Sequence, residues 1–533
     1  MAWINAKNRR IEIQPIRSLP GPGLPVVPQE KSRSMNRAGA PVGPSLGRNT
    51  LWNFLGIAAP VPAAMISIPL LISGLGNERF GLLTIAWAVM GYFSVFDLGL
   101  SRATTKYLAQ ACEEGNDAEA RQLFWTSTAA HLGLGLFGGV LLFLIAPMLA
   151  GMLEVQPAMR TETLTVLRLL AVSVPIVVLT SVARGLLEAL HRFDLVNAVK
   201  LPASLITYLG PLAALAFTDR LPAIVLVILA CRAAVLLIYL VMCFRVLPAI
   251  RVFERPRFGA LIPLAAMGGW ITIGTVLVPL MVSLDRFVIG SAVSVAAVVA
   301  YAAPYEVVTK LWMFSASLLG VLFPRFSILA ERPEALRALY SRALGWLALC
   351  TTPVAVLMVA FAPEFFKAWL GTEVGGMSAP VAQWLTIGVL INVLAQVPTT
   401  LLQATGHADA TGKIHLFELP LYAAIIWFAA MQWGVVGVAI GWALRAGVDA
   451  VLMFTAVRIR LGLRHSSRTW WRALAVTCAA ALLIAWCWQM VPLFAAALVP
   501  KFVVVILSIV TFVYLASRSL HISLTRDLVA LRG

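Results

Sequence analysis

Four side chains stand nearest the middle of long apolar runs, Arg232, Glu306, Lys310 and Arg445, with Asp449 one helical turn beyond the last. An ionisable group surrounded by hydrocarbon is costly, so such residues mark ion paths, proton relays or the binding of charged cargo. Glu306 and Lys310, and likewise Arg445 and Asp449, are four positions apart. That spacing puts two side chains on one helix face, so each pair can neutralise itself. Arg232 has no acid within four positions on either side and must meet its partner in another helix, in water or in a bound anion. Arg168, Asp285, Arg286 and Glu418 lie within about four residues, roughly 6 Å, of the end of an apolar run, which leaves them able to snorkel to the interface. Asp97 sits deeper, within "FDLGL". The candidates for holding an anion are therefore Arg232, Lys310, Arg286 and Arg445, and the candidates for carrying a coupling ion are Asp97, Asp285 and Glu306. At mid-depth the bases outnumber the acids, which favours an anionic cargo over a cationic one.

The elements that hold these groups follow from composition. Of 533 residues 60% are hydrophobic and 12% charged, against about 45–50% and 25% in a soluble domain. So few charges could not cover a water-facing surface, and the chain reads as an all-α polytopic membrane protein. Apolar runs fall at about 49 to 73, 81 to 101, 124 to 150, 164 to 187, 200 to 218, 222 to 244, 261 to 289, 296 to 323, 343 to 363, 380 to 403, 416 to 433, 435 to 457, 473 to 493 and 498 to 517, about fourteen transmembrane helices at roughly 20 residues each. Pro60, Pro62 and Pro69 in the first run and Pro263 and Pro279 in the seventh remove ladder hydrogen bonds and predict kinks.

Charge bias tests that count. With the amino terminus inside, 31 of the 41 Lys and Arg fall in the tails and even-numbered connections, counting Arg184 and Lys200 at the run ends beside them, and only Arg79, Arg160, Arg220, Lys367 and, at the start of the last run, Lys501 fall opposite. One missed or invented span would reverse the sides downstream and destroy the asymmetry, so both termini are expected in the cytoplasm of a cell (inner) membrane protein. The same bias accounts for the net charge of +17, which in a soluble chain would suggest nucleic acid; none is expected as a partner here. Residues 1–48, with seven prolines and five glycines among eight Lys and Arg, read as a disordered basic cytoplasmic tail.

Several chemistries are excluded. The cysteines lie in apolar runs, apart from Cys112 in a charged loop, and show no metal-ligand spacing. No Walker A loop and no HExxH occurs, and no loop holds the acidic pair a glycosyl transferase needs. No catalytic residue, metal or cofactor is expected.

Two short outer loops, "SGLGNERFGLL" and "IGSAVSVAAVV", each follow a proline-bearing run and stand 216 residues apart. Six spans separate them, an even number, so the halves insert the same way up as a parallel repeat. This divides the chain into a six-helix lobe at 49–246, a second at 247–460, and an extra transmembrane hairpin with the C-terminus at 461–533.

The stretch "SIPLLISGLGNERFGLLTIAWAVMGYFSVFDLGLSRATTKYLA", Ser67 to Ala109, resembles the opening of polysaccharide exporters in the MATE-like (MOP) superfamily, which includes O-antigen and other lipid-linked oligosaccharide flippases. "SLDRFVIG" at Ser283 to Gly290, "VAYAAPYEVVTKL" at Val299 to Leu311 and "LFPRFS" at Leu322 to Ser327 resemble that family's seventh and eighth helices, and the likeness runs in order over residues 46–460. It implies two six-helix lobes around a cavity that opens alternately to each side, moving a polyprenyl-diphosphate-linked sugar outward for surface polysaccharide biosynthesis. Fourteen spans, rather than twelve, is the count in the related lipid II flippases. The implied partners are a lipid-linked anionic glycan, membrane lipid and membrane proteins of glycan assembly. Arg and Lys would hold the diphosphate, and Trp87, Tyr92, Tyr301, Tyr305 and Trp312 could offer ring faces to sugar. Two alternatives stand beside this reading: a cation-coupled multidrug exporter of the same superfamily, and an integral membrane glycan polymerase or acyl transferase.

Overall fold

The computed structural model describes residues 60–93, 100–190, 192–257, 281, 284–462 and 498–520. The basic tail, Asp97, most of the seventh apolar run with Pro263 and Pro279, the thirteenth run and residues 521–533 lie outside the described residues.

Every regular element among the described residues is helical: α1 (Pro60–Tyr92), α2 (Leu100–Glu113), α3 (Asp117–Met152), α4 (Arg160–Ala189), α5 (Phe193–Leu215), α6 (Leu221–Val246), α7 (Val298–Val308), α8 (Trp312–Ile328), α9 (Pro333–Leu370), α10 (Thr372–Ala404), α11 (Ala408–Arg460) and α12 (Leu498–Leu520). A helical stretch at 284–292 precedes α7. Nine spans among the described residues are long and apolar enough to cross a membrane. The second connection, expected only as a charged loop, contains α2, and Asn116 caps the helix after it by accepting a hydrogen bond from the Glu119 amide at 3.1 Å.

Two of these helices are each two spans in sequence. The break in α1 falls at Gly76 (φ 78°) and the break in α11 at Gly434 (φ 58°), backbone angles that glycine adopts without strain. In α11 the chain turns back on itself, because a Cβ on Gly441 would lie 3.1 Å from Ile426, whereas fifteen positions along a straight helix span about 22 Å. Its halves, 408–433 and 435–460, therefore correspond to the eleventh and twelfth expected runs. The eighth run is also subdivided, since a tight turn at Thr309–Leu311 joins α7 to α8.

Outward-facing side chains fit a lipid solvent. On α3, Phe137, Leu144 and Met148 are 65%, 69% and 68% exposed, an apolar surface too continuous for water. Inside, small residues let backbones approach closely: a Cβ on Gly139 of α3 would come within 2.8 Å of the Ala171 carbonyl oxygen of α4. Helices α1 to α6 pack mainly among themselves, as do α7 to α12, and α1 against α7 is a principal contact between the two groups.

Candidate functional site

The groups meet at a buried polar network. Its centre is the 284–292 helix, where Asp285 and Arg286 are adjacent in sequence and so point in directions about 100° apart. Arg286 reaches towards α1 and α7: Nη1 donates to the Thr84 carbonyl at 3.0 Å and Nη2 to Glu306 Oε1 at 3.2 Å. Its guanidinium also lies 5.5 Å from the Tyr305 ring centroid. Asp285 turns the other way and accepts hydrogen bonds from the hydroxyls of Tyr301 and Tyr422.

Glu306 is shared three ways. Besides Arg286, its Oε2 accepts from the Tyr208 hydroxyl of α5 at 2.9 Å and lies 3.6 Å from Lys310 Nζ. The Glu306–Lys310 pairing expected from spacing is thus present, but it is the longer of two ion pairs on that carboxylate. Lys310 keeps 30% of its side chain exposed against 8% for Arg286, leaving it the more available of the two cations.

The second expected pair does not form. Arg445 makes no ion pair among the described residues and instead lies over the rings of Tyr422 and Trp442, at 5.2 and 5.3 Å, while Asp449 Oδ1 lies 3.6 Å from His415 Nε2. The hairpin at Gly434 brings the Tyr422 ring and the His415 imidazole within reach of α11's second half, and these, with the Trp442 ring one turn before Arg445, replace the Arg445–Asp449 pair. Asp285, Arg286 and Glu418 are 0%, 6% and 2% exposed and do not snorkel, whereas Arg168 is exposed and rests over Phe143 at 5.1 Å. Arg232, half-buried on α6, forms no hydrogen bond or ion pair among the described residues, and its Nε is fully enclosed. The candidate role of Asp97 falls outside the described residues.

Ring faces line the network. Trp87 meets Tyr208 edge-on at 5.5 Å, Tyr301 stacks on Tyr305 at 5.8 Å, and Tyr305 meets Trp312 at 6.4 Å. Trp312 Nε1 donates to Asn392 Oδ1 at 3.0 Å, and Ser315 donates to Gln396 Oε1 at 2.7 Å, which extends the polar path along α8 and α10. Tyr208, Tyr422, His415 and Thr84 were missed from sequence. Tyr208 and Tyr422 are polar side chains inside apolar runs, a detectable signal, whereas His415 falls just before a run and Thr84 acts through its carbonyl, which no side-chain pattern reports.

At the end of the bundle that bears Arg79, the groups are sewn together. The Glu154 amide donates to the Gly290 carbonyl at 2.8 Å and the Val295 amide to the Glu154 carbonyl at 3.2 Å. Arg79 there pairs with Glu162 at 3.3 Å and Asp219 at 3.1 Å, beside a cleft of about 500 Å³ lined by Asn77, Glu78 and Gln156 among others. At the opposite end the ion pairs among the described residues stay within one helix group, Arg121 with Glu254 at 2.5 Å in the first and Lys413 and Arg460 with Asp409 at 3.0 and 3.5 Å in the second. Hydrogen bonding from Arg192 holds the Asp194 carboxyl below its ordinary range, and Lys413 does the same for Asp409.

Comparison with known proteins places this architecture. A family model described as polysaccharide biosynthesis protein matches residues 75–379. A candidate O-antigen transporter of Shigella flexneri is 29% identical over 422 residues, covering 77% of this chain and 97% of that protein. Among solved structures, an inward-facing MATE-family multidrug resistance transporter of the MOP superfamily superposes with a TM-score of 0.64 at 15% identity, over 78% of this chain and 99% of that one. The lipid II flippase MurJ in an inward closed conformation gives 0.64 at 12% identity, over 89% and 100%. A MOP superfamily transporter from Pyrococcus furiosus with a binding pocket of reverse polarity gives 0.57 at 14% identity, over 79% and 96%. These likenesses show a MOP-type fold.

Proposed function

The chain belongs to the polysaccharide biosynthesis protein family, and from that membership we propose that it is a flippase, carrying a polyprenyl-diphosphate-linked oligosaccharide from the cytoplasmic to the outer leaflet by alternating access. It is a transporter and not an enzyme. The names of its relatives, an O-antigen transporter and a lipid II flippase, agree with such a cargo.

The observation that carries the reading is two cations, Arg286 and Lys310, sharing one carboxylate beside a run of ring faces. A diphosphate can take both cations, Arg286 through its planar fork and Lys310 as a mobile point charge. Arg286 also ties Thr84 of α1 to Glu306 of α7, and Glu306 accepts from Tyr208 of α5. A headgroup that draws Arg286 away from both Thr84 and Glu306 therefore loosens a tie between the two helix groups. Arg232, with no partner among the described residues, is a further contact for the anion, and the rings receive the sugar while the lipid tail stays in the bilayer.

In this reading residues 49–246 and 247–460 are the two lobes, residues 461–533 an added hairpin, and both termini lie in the cytoplasm of an inner-membrane protein. Membrane proteins that assemble the glycan are its neighbours. The Glu154–Gly290 seam is the closed outer gate. Moving two negative charges outward across 100 mV, inside negative, is favourable by about 4.6 kcal/mol at roughly 2.3 kcal/mol per charge, so the membrane potential can bias export.

Deleting the gene should remove surface polysaccharide, and a Lys310→Met variant, which leaves the Arg286–Glu306 pair in place, should fail to restore it although it inserts at normal level. Full restoration would withdraw the headgroup site. Cysteines placed near Arg255, Arg337 and Arg464 should resist a membrane-impermeant thiol reagent in intact cells while one near Glu373 labels; the reverse pattern would overturn the orientation.

A further inference from the structure

The two halves of α11 face each other through polar residues the proposed transport path does not use. On the first half Thr411, His415, Glu418 and Tyr422 recur at steps of four, three and four, one helix face. On the second Trp442, Ala446, Asp449 and Met453 do the same, and all four are buried. His415 Nε2 lies 3.6 Å from Asp449 Oδ1, and one ligand atom from each of His415, Glu418 and Asp449 lies within 4.8 Å of the other two. Glu418 is 2% exposed and Asp449 4%. Among the described residues, neither oxygen of Glu418, nor Oδ1 of Asp449, meets a hydrogen-bond donor. Arg445, the base best placed to help, is engaged with the rings of Tyr422 and Trp442 instead.

Buried carboxylates left without donors are unstable as ions. Something positive belongs between them, and the donor set says what. Sodium, magnesium and calcium prefer all-oxygen surroundings, whereas an imidazole nitrogen beside two carboxylates suits a divalent first-row transition metal. Ligands about 2.0 to 2.2 Å from a tetrahedral zinc stand roughly 3.4 Å apart, close to the separation of the His415 and Asp449 atoms. The geometry points to a binding site for one divalent cation of the zinc, cobalt or manganese class, held by His415 Nε2, Glu418 and Asp449.

Such an ion would close the hairpin at the end away from Gly434, joining its halves at a level where Arg445 does not. Tyr422, one turn from Glu418, donates to Asp285, so the metal would also fix the helix that orients the central network. The inference is independent of the cargo: metal uptake is read without any transport assay, so its failure leaves the flippase reading standing, and the converse holds too.

The test uses the full chain in detergent, with any affinity tag removed and metal stripped by chelator, titrated with cobalt(II) chloride. The expected result is one equivalent bound with a visible absorption band, displaced by zinc and unaffected by millimolar sodium. His415→Gln, Glu418→Gln and Asp449→Asn should each weaken binding by at least about tenfold. Absence of saturable uptake, uptake unchanged in Glu418→Gln, or displacement by sodium but not zinc would each overturn the assignment. Should a variant elute as aggregate, the wild-type chain decides alone: zinc must protect His415 from diethyl pyrocarbonate, read by mass spectrometry, and unprotected His415 overturns the site.

Discussion

The two packing groups of helices handle charge in opposite ways. In α1 to α6, the described ion pairs lie at the ends of the bundle, as with Arg79, Glu162 and Asp219 or Arg121 and Glu254, and half-buried Arg232, midway along α6, is unpaired among the described residues. In α7 to α12 and the 284–292 helix before them, Asp285, Arg286, Glu306, Lys310, Glu418, Arg445 and Asp449 are gathered inside, most of them held by tyrosines, by one another or by ring faces. The first group can therefore lose its inner charge without leaving a buried partner behind, whereas the second cannot. A lone charge kept at a cost invites a functional explanation, while a paired one can be explained by structure alone.

The largest expected effect tests the second group. Glu306→Ala leaves Arg286 buried without its counter-ion and should destabilise the protein by about 3–5 kcal/mol, read as a lowered unfolding midpoint in detergent. A loss of under 1 kcal/mol would mean that water or lipid replaces Glu306 and the two groups differ less than their contacts suggest.

Next come the close approaches, where the groups should behave alike. A Cβ on Gly388 of α10 would lie 2.7 Å from the Trp442 ring, and one on Gly135 of α3 2.7 Å from Pro175 Cα. Alanine at either position should cost about 1–3 kcal/mol by overpacking. If only Gly388→Ala is damaging, α3 and α4 can slide apart and the first group is the softer body.

Smaller in stability but large in function is Arg232→Ala, expected to shift stability by no more than about 0.5 kcal/mol while abolishing surface glycan at normal protein level. A stability loss rivalling that of Glu306→Ala would give Arg232 a structural partner and erase the contrast. Arg232→Lys keeps charge but loses the fork, so intermediate export would locate the effect in geometry.

The smallest effect belongs to the exposed Arg192–Asp194 pair, 2.9 Å apart. Its loss in Arg192→Ala should cost about 0–1 kcal/mol. Because the Asp194 carboxyl is lowered when folded, its contribution is present above the ordinary carboxylate range and is lost as pH falls through the lowered value. The wild-type minus Arg192→Ala difference in unfolding midpoint should therefore shrink on acidification, and a difference that grows would reverse the sign.

The sequence by itself determined the class of molecule. Long apolar runs with few charges have no stable arrangement in water, so membrane helices follow from composition alone. The runs at 416 to 433 and 435 to 457 already divide at Gly434, and the structure turns there on a positive φ. Local spacing also found the Glu306–Lys310 contact, since four residues on one helix are neighbours whatever surrounds them. The same rule failed for Arg445 and Asp449, because the fold offered Arg445 the Tyr422 ring beside its own helix's Trp442 and gave Asp449 the imidazole of His415 from the other half of the hairpin. Nor could position along a run tell that Asp285 and Arg286 are sealed in while Arg168 reaches outward. Depth and partnership of a charge depend on which helices pack beside it, through contacts between residues as far apart as Thr84 and Arg286, and only the tertiary structure decides those.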